Sequence, residues 1–221
     1  MGKFFVSTEG EDCWSKYLLD RKNQWVDGYS AKELAKSWEA AKGFPPTVQQ
    51  AFKKSGISLF NNITFLYGFP EYKVSLPGRG ASSQNDLYVL TRSGEKLIPV
   101  MVEGKVSEPF GSSVQVWKGK DPSPGKIKRL QYLLDKLQLD ENRTVKTGYQ
   151  LLHRTASAVI EAKKLNTSYA LMLVHSFSNK AEHFEDYASF VRMYNLAPEE
   201  DTITGPVTVN GVNLYFGWVN H

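Results

Sequence analysis

The sequence is poor in cysteine and in clustered histidine. One cysteine, Cys13, excludes an internal disulfide and a cysteine-only zinc cage. The four histidines are far apart in the chain and lack the spacing of a histidine-based metal motif. No stretch approaches the ~18 consecutive apolar residues of a membrane span, and a secretory apolar region is missing too. Val6 stands where a myristoylation signal wants Ser or Thr, so we expect a soluble, cytoplasmic protein without a membrane partner.

Neither composition nor charge singles out an unusual class of protein. Hydrophobic residues make up 41% of the chain and charged residues 23%, which is ordinary for a globular domain with a full core. The net charge is +4 and the pI is ≈ 9.0. A basic balance of this size permits a polyanionic partner without requiring one.

The first quarter of the chain has a helical pattern. Residues 11–56 contain a candidate capping box at Ser30 and Glu33, followed by an apolar face and then by a proline pair that opens a second helix. Helices over 30–42 and 45–55 would suit a helix-turn-helix that reads DNA, with Lys53 and Lys54 as its basic residues. The alternative is that Val48, Ala51 and Phe52 make this second helix a packing element.

Beyond residue 56 the pattern alternates between strands and helices. Strands are predicted over 63–76, 86–91, 97–106, 169–177 and 212–219, and helices over 124–139, 149–165 and 181–194. This order predicts an α/β fold with a central mixed β-sheet flanked by helices. We expect residues 1–43 to form an N-terminal helical extension packed on a domain that covers residues 44–221.

The third predicted strand carries an acid and a base on one face. Side chains alternate along a strand, so one face is apolar and is formed by Ile98, Val100, Val102 and Val106. Met101, Glu103 and Lys105 lie on the other face. A carboxylate and an ammonium group therefore project side by side from a strand whose back faces the core.

The preceding strand brings a second carboxylate to the same face. A two-residue turn at Ser93-Gly94 would place Asp86 opposite Met101, whereas a four-residue loop over 93–96 would place it opposite Glu103. In both registers Asp86 shares a face with Glu103 and Lys105, with Cβ atoms ~5 to ~7 Å apart. Two carboxylates at that separation can hold Mg²⁺ or Mn²⁺, and a neighbouring lysine can orient water or stabilise a charged transition state.

Asn85-Asp86 and Glu103-Gly104-Lys105 resemble the signature of the PD-(D/E)XK, or restriction-endonuclease-like, nucleases. The stretches V-E-G-K-V-S-E-P-F-G, Q-L-L-H-R-T-A-S-A and V-H-S-F also look like an uncharacterised bacterial family of that superfamily. The resemblance covers about residues 44–180 and implies an α-β-β-β-α-β core with Asp86, Glu103 and Lys105 as catalytic residues. It implies metal binding by Asp86 and Glu103 and hydrolysis of nucleic acid, with DNA favoured over RNA as the substrate. Asn85 departs from the signature, which has proline there.

Several other polar residues are candidates for a supporting role. Gln150, His153, Arg154 and Ser157 form one polar stripe at helical spacing, suited to phosphate or water; the alternatives are a solvent-exposed face or a buried network. Further candidates for phosphate contact, each with ordinary surface charge as the alternative, are Arg79, Lys126, Lys128 and Arg129. Glu108 is a candidate outer ligand of the metal. His175 and the tryptophans Trp14, Trp25 and Trp38 are expected in the core.

The sequence is also compatible with two alternatives to a nuclease. One is a catalytically idle fold that binds nucleic acid or protein through the same surface. The other is a purely structural α/β domain in which Asp86 and Glu103 face different directions. A homodimer is compatible with every one of these functions.

Overall fold

The computed structural model describes residues 8–18, 20–78 and 80–221. Six strands form one sheet: β1 (Thr64–Val74), β2 (Ser83–Ser93), β3 (Lys96–Lys105), β4 (Tyr169–Ser176), β5 (Thr202–Val209) and β6 (Val212–Asn220). Their order across the sheet is β1-β2-β3-β4-β6-β5. β1, β2 and β3 are antiparallel, β3, β4 and β6 run parallel, and β5 is antiparallel to β6.

Helices cover both faces of this sheet. They are α1 (Arg21–Gln24), α2 (Ser30–Ala41), α3 (Pro46–Lys54), α4 (Val114–Lys118), α5 (Pro124–Leu137), α6 (Glu141–Thr144), α7 (Tyr149–Lys164) and α8 (Phe184–Arg192). Two 3₁₀ helices, Glu11–Tyr17 and Ser58–Phe60, complete the elements of the described ranges. The predicted α/β fold with a mixed sheet between helices is confirmed.

The central strands are buried on both faces. Alternate residues of β3 enter two different apolar layers: Met101 packs with α5, α7 and α8, whereas Val100 and Val102 pack with α2 and α3. The sequence-based view of β3, with one apolar and one polar face, is therefore wrong in part. Val106, expected on the apolar face, lies just beyond the strand and is half-buried.

The N-terminal helices belong to the second apolar layer. Val48, Ala51 and Phe52 of α3 are buried, which confirms them as packing residues. Trp14 and Trp38 are buried in the same layer, and Trp25 packs against it half-buried. The boundary near residue 43 stays a prediction, as does DNA reading by α3. No helix in the described ranges is both long and apolar enough to cross a membrane.

Two local features differ from the sequence pattern. Tyr29, not Ser30, precedes α2 as its capping residue, and the Glu33 carboxylate accepts a hydrogen bond from the Gly28 amide at 2.9 Å. The predicted Ser30 cap is therefore wrong by one residue. Strand β5 is missing from the strands predicted above. It is a partly exposed edge strand interrupted by the Gly205-Pro206 pair, so its sequence lacks apolar alternation.

Candidate active site

The β2–β3 hairpin fixes the relation between the two signature carboxylates. Ser93 pairs with Lys96, so Gly94 and Glu95 form a two-residue turn, and Gly94 supplies its positive φ of 57°. The turn expected at Ser93-Gly94 is wrong by one position. The same register pairs Leu87 with Val102 and continues to place Asp86 across from Glu103, which is the second of the two predicted registers.

Arg154 joins these two carboxylates from helix α7. Its Nε donates to Glu103 Oε2, and its Nη2 donates to Asp86 Oδ1 at 3.3 Å. The other Asp86 oxygen accepts a hydrogen bond from the Gly104 amide at 2.9 Å. Asp86 and Glu103 therefore face one another across a guanidinium group and do not point in different directions.

Lys105 is the third member of the predicted triad and is buried with Glu103. Its Nζ donates to Glu103 Oε1 at 2.9 Å and to Gln150 Oε1 at 3.1 Å. The same Nζ lies 4.9 Å from the centroid of the Phe110 ring. Glu103 is 1% exposed and Lys105 2% exposed, so this pair is not a solvated ion pair on a strand surface.

The buried charges shift the pKa values of the two carboxyl groups in opposite directions. Burial alone would raise the pKa of Glu103, but Arg154 and Lys105 outweigh it and hold that pKa at about 2. Burial and the neighbouring charge of Glu103 raise the pKa of Asp86 well above its ordinary value, although Arg154 opposes the shift. Glu103 is therefore the fixed negative charge of the site. For Asp86, the neighbouring positive charges do not offset the effects of burial and of the Glu103 charge.

A third carboxylate, Glu71, joins the site without having been predicted from the sequence. The flanking pairs Pro70–Leu87 and Tyr72–Asn85 place Glu71 of β1 opposite Asp86 of β2. It is 9% exposed, and burial raises its pKa to about 7 although Gln84 donates a hydrogen bond to it at 2.8 Å.

The only sequence signal for Glu71 is an acid directly after Pro70 in a strand that is otherwise mostly apolar and aromatic. Glu71 has a φ of 52°, an uncommon backbone conformation for a residue other than glycine. Alternation along a regular strand would not reveal such a residue.

These groups line one pocket of ≈ 540 Å³ at the carboxyl end of β3. The strands contribute Glu71, Gln84, Asp86, Glu103 and Lys105; the loop after β3 contributes Glu108; and α7 contributes Gln150 and Arg154. The remaining wall comes from the N-terminal segment and includes Gln24, Gly28, Tyr29 and Ser30. The pocket therefore draws on three distant parts of the chain.

Of the polar stripe on α7, half faces this pocket. Gln150 and Arg154 line it, whereas His153 and Ser157 bond to Ser83 at 2.8 and 3.0 Å. Burial, assisted by the charge of Arg154, lowers the pKa of His153 well below its ordinary value. His153 is thus a neutral packing group beside the site, and its contact with substrate stays a prediction. The alternative of a wholly solvent-exposed stripe is wrong, because Arg154 and Ser157 are buried.

The other candidate residues are placed as follows. Arg79 lies outside the described residues. Arg129 donates to the carbonyl groups of Pro77 and Ala81 at 3.1 and 2.7 Å, so it anchors a loop and is not an ordinary surface charge. Lys126 donates to the Trp117 carbonyl at 2.6 Å. His175 is buried, as predicted, and its Nδ1 accepts a hydrogen bond from Trp38 at 3.1 Å.

The pocket has donor atoms suited to a hard divalent cation. With every group ionised, four carboxylates (Glu71, Asp86, Glu103 and Glu108) face two cations (Lys105 and Arg154), a formal excess of two negative charges. Glu108 Oε1 is buried and has no hydrogen-bond partner among the described residues. The described residues contain no ready-made cluster of three or more His, Cys, Asp or Glu around a metal position. A cation here would rely on two carboxylates completed by water or phosphate, as Mg²⁺ sites commonly do.

Comparison with known proteins identifies the family. A family described as Domain of unknown function (DUF6946) matches residues 7–221, nearly the whole chain. The chain belongs to this family. No curated protein and no solved structure matches it.

Proposed function

We propose that this protein is a divalent-metal-dependent nuclease that hydrolyses phosphodiester bonds of nucleic acid. The observation that carries the proposal is the buried contact of Lys105 with Glu103, beside Asp86 on the adjoining strand, in a pocket open to solutes. Buried ion pairs contribute little net stability because desolvation offsets their attraction, so a buried lysine among several carboxylates supports a role other than stability. We expect DNA to be the polymer and the cytoplasm to be the compartment.

The arrangement of elements supports membership of the PD-(D/E)XK superfamily. In that superfamily the acids lie on neighbouring strands of one hairpin, and a helix after the hairpin flanks the cleft. Here Asp86 lies on β2, Glu103 and Lys105 lie on β3, and α7 flanks the pocket.

The residues fit the proposed metal by donor type and by charge. Asp86 and Glu103 would hold Mg²⁺ or Mn²⁺, and Glu108, with its unpartnered buried oxygen, would lie close to the metal-bound water. When bound, the cation would acidify water and neutralise charge on the phosphate oxygens. Each carboxylate oxygen keeps a second lone pair beside its present hydrogen bond, so the protein contacts do not exhaust these ligands.

The remaining side chains position the charged groups. The Lys105 ammonium donates one hydrogen bond to Gln150 Oε1 and another to Glu103 Oε1, so the ammonium group is held at a defined point. Lys105 there would stabilise negative charge on a phosphate or orient the attacking water. Arg154 holds Asp86 and Glu103 in one orientation before substrate arrives.

One observation favours a second candidate function. Arg154 bonds to both signature carboxylates and thereby supplies part of the positive charge that a metal would bring. A site balanced in this way could be catalytically idle and serve as a binding module for nucleic acid or protein. Its binding would fall with salt and would not respond to EDTA.

Substitution of the central acid tests the proposed function. We expect purified wild-type protein to cut DNA or RNA with Mg²⁺ or Mn²⁺ and not with EDTA. Glu103→Gln and Lys105→Met should each lower the rate by at least about 100-fold. Glu161→Gln is the matched control, because Glu161 is an equally buried carboxylate on α7 that pairs with Lys164 and Tyr72 and does not line the pocket.

The same samples decide between the two candidates. A calorimetric titration with Mn²⁺ should show binding to wild-type protein and weaker binding to Glu103→Gln. Cleavage by Glu103→Gln at the wild-type rate would contradict the nuclease assignment. Nucleic-acid binding that persists in EDTA, without Mn²⁺ binding and without cleavage, would support the binding module instead.

A further inference from the structure

The N-terminal segment brings one exposed aromatic ring to the pocket. Tyr29 lines the cavity together with Asp86, Glu103 and Lys105, and it is 55% exposed. The pocket thus combines charged groups on the sheet with an accessible aromatic face on its N-terminal wall. Charged groups recognise phosphate, whereas an aromatic face recognises a planar ring.

The backbone that carries this ring is held in place. The Tyr29 amide donates to the Val26 carbonyl at 3.1 Å, and the Tyr29 carbonyl accepts from the Glu33 amide at 3.0 Å. The preceding Gly28 amide donates to the Glu33 carboxylate at 2.9 Å. The ring therefore projects from a fixed helix start, and stacking on it would cost little conformational entropy.

The glycine of the Glu-Gly-Lys motif allows the start of α2 to approach β3 closely. A Cβ atom built on Gly104 would lie 3.2 Å from the Ser30 carbonyl oxygen and 3.4 Å from Leu34 Cβ. The start of α2 therefore packs directly against β3 between Glu103 and Lys105. Tyr29, the neighbour of Ser30, is thereby held in the same pocket as the proposed phosphate site.

The volume of the pocket and the aromatic ring on its wall favour an unpaired nucleotide. A cavity of ≈ 540 Å³ is in the range of sites that enclose a small ligand. In a duplex the faces of the bases are covered by their neighbours, whereas bases of single strands are free to stack on aromatic side chains. The Tyr29 ring offers such a face only to a base that has left the stack.

We propose that the pocket binds an unpaired nucleotide of single-stranded nucleic acid, with its base stacked on Tyr29 and its phosphate beside Asp86, Glu103 and Lys105. The phosphate half of this inference rests on the proposed nuclease function. The base half rests on the exposed ring, its fixed backbone and the packing at Gly104. The inferred substrate class is single-stranded DNA or RNA, or a frayed strand end.

A binding measurement tests the role of Tyr29 without requiring cleavage. The probes are two single-stranded phosphorothioate oligonucleotides of equal length, one with bases and one fully abasic. Fluorescence anisotropy measures their binding in the presence of Mn²⁺. Wild-type protein should bind the probe with bases at least about 5-fold more tightly. Tyr29→Ala should reduce this preference to less than about 2-fold, and Tyr29→Phe should restore it, since both aromatic rings stack.

The control replaces a comparable tyrosine outside the pocket. Tyr67 on β1 is 57% exposed and does not line the cavity, so Tyr67→Ala should keep the preference for bases. Tyr29→Ala with an undiminished preference would overturn the inference. Equal binding of the two probes by wild-type protein would overturn it as well.

A cleavage measurement separates this inference from the proposed function. Single strands should be cut faster than the matched duplex by wild-type protein in Mg²⁺, and Tyr29→Ala should lose at least about 5-fold in kcat/KM on single strands. Cleavage that is insensitive to Tyr29→Ala, or faster on duplex, leaves the nuclease standing and overturns the role of Tyr29. Base-dependent binding without any cleavage leaves Tyr29 standing and contradicts the nuclease.

Discussion

Lys105 and Arg154 place two positive charges inside the protein among the carboxylates of the pocket. Both side chains are buried, and both bond to Glu103. Removing one member of such a network leaves an uncompensated charge in a place from which water is largely excluded. Substitutions at these residues should therefore change the free energy of unfolding as well as any chemistry.

Arg154→Met should destabilise the protein in a way that metal partly reverses. Without the guanidinium, Asp86 and Glu103 keep no shared cation, and the free energy of unfolding in EDTA should fall by about 3–5 kcal/mol. Loss of the guanidinium makes the site more negative, so a divalent cation should bind the native variant more tightly than it binds wild-type protein and restore part of this difference. Urea unfolding with and without Mn²⁺ measures both effects.

Arg129→Met provides the control for this experiment. Arg129 is also a buried arginine, but it bonds to the carbonyl groups of Pro77 and Ala81. Its loss should lower the free energy of unfolding relative to wild-type protein by the same amount in EDTA and in Mn²⁺, because this variant keeps the site intact. Recovery of both variants to an equal extent relative to wild-type protein in the same buffer, or recovery of neither, would contradict the placement of a cation at Asp86 and Glu103.

His175 should make stability depend on pH. Burial, with a smaller effect of His221, lowers the pKa of His175 to about 3. Between that value and the ordinary pKa of about 6.5 the unfolded chain binds a proton that the native protein does not. This residue's contribution to stability is therefore complete above pH 6.5 and is lost as pH falls, at up to about 1.4 kcal/mol per pH unit.

Comparison of variants isolates this contribution, since other buried groups titrate in the same interval. Urea unfolding of His175→Asn between pH 5 and 6.5 should show a smaller rise of stability with pH than unfolding of the wild-type protein. His221→Asn, at an exposed position, should keep most of the wild-type slope. Identical slopes for wild-type protein and His175→Asn would rule out the protonation-linked penalty at His175.

Among the elements, α2 and β3 meet at a glycine. Gly104→Ala should lower the free energy of unfolding by about 1–3 kcal/mol, because the new Cβ would lie 3.2 Å from the Ser30 carbonyl oxygen in packed surroundings. Gly68→Ala is the control, since its Cβ would meet the Phe65 ring tip at 3.1 Å, and a side chain moves more readily than a backbone. Urea unfolding should show the larger loss for Gly104→Ala, and a reversed order would contradict this packing.

The sequence predicts regular strands and helices better than irregular ones. The strand parity of β2 and β3 predicted that Asp86, Glu103 and Lys105 share one face, because hairpin loops of two and four residues leave the same side chains on that face. Burial of Met101 opposite Val100 and Val102 could not be read from that alternation, since it requires the layer of α5, α7 and α8 to be known.

Irregular backbone defeated the same reasoning elsewhere. Glu71 has a positive φ in β1, and β5 is interrupted at Gly205-Pro206, so neither follows the pattern of a regular strand. Helical spacing predicts the polar stripe on α7, but spacing alone does not show that Arg154 contacts the carboxylates while His153 contacts Ser83.

In the whole molecule, the pocket carries too little positive charge to hold a polyanion by itself. We expect a single-stranded phosphorothioate oligonucleotide to bind at least about 10-fold more tightly in Mn²⁺ than in EDTA at equal ionic strength, since one divalent cation offsets the formal excess of two negative charges. Anisotropy titrations measure the ratio. Equal affinity in both buffers would contradict a cation that joins this pocket to a phosphate.

The network of Asp86, Glu103, Lys105 and Arg154 also constrains how the family can vary. Each of these buried charges is compensated by another. Loss of one residue therefore leaves an uncompensated charge in the interior, which destabilises a protein that keeps the other three. A lineage that abandons the site gains stability by replacing all four with apolar side chains of similar volume. We therefore expect these four positions to covary as a block across the family, and to be either all charged or all apolar.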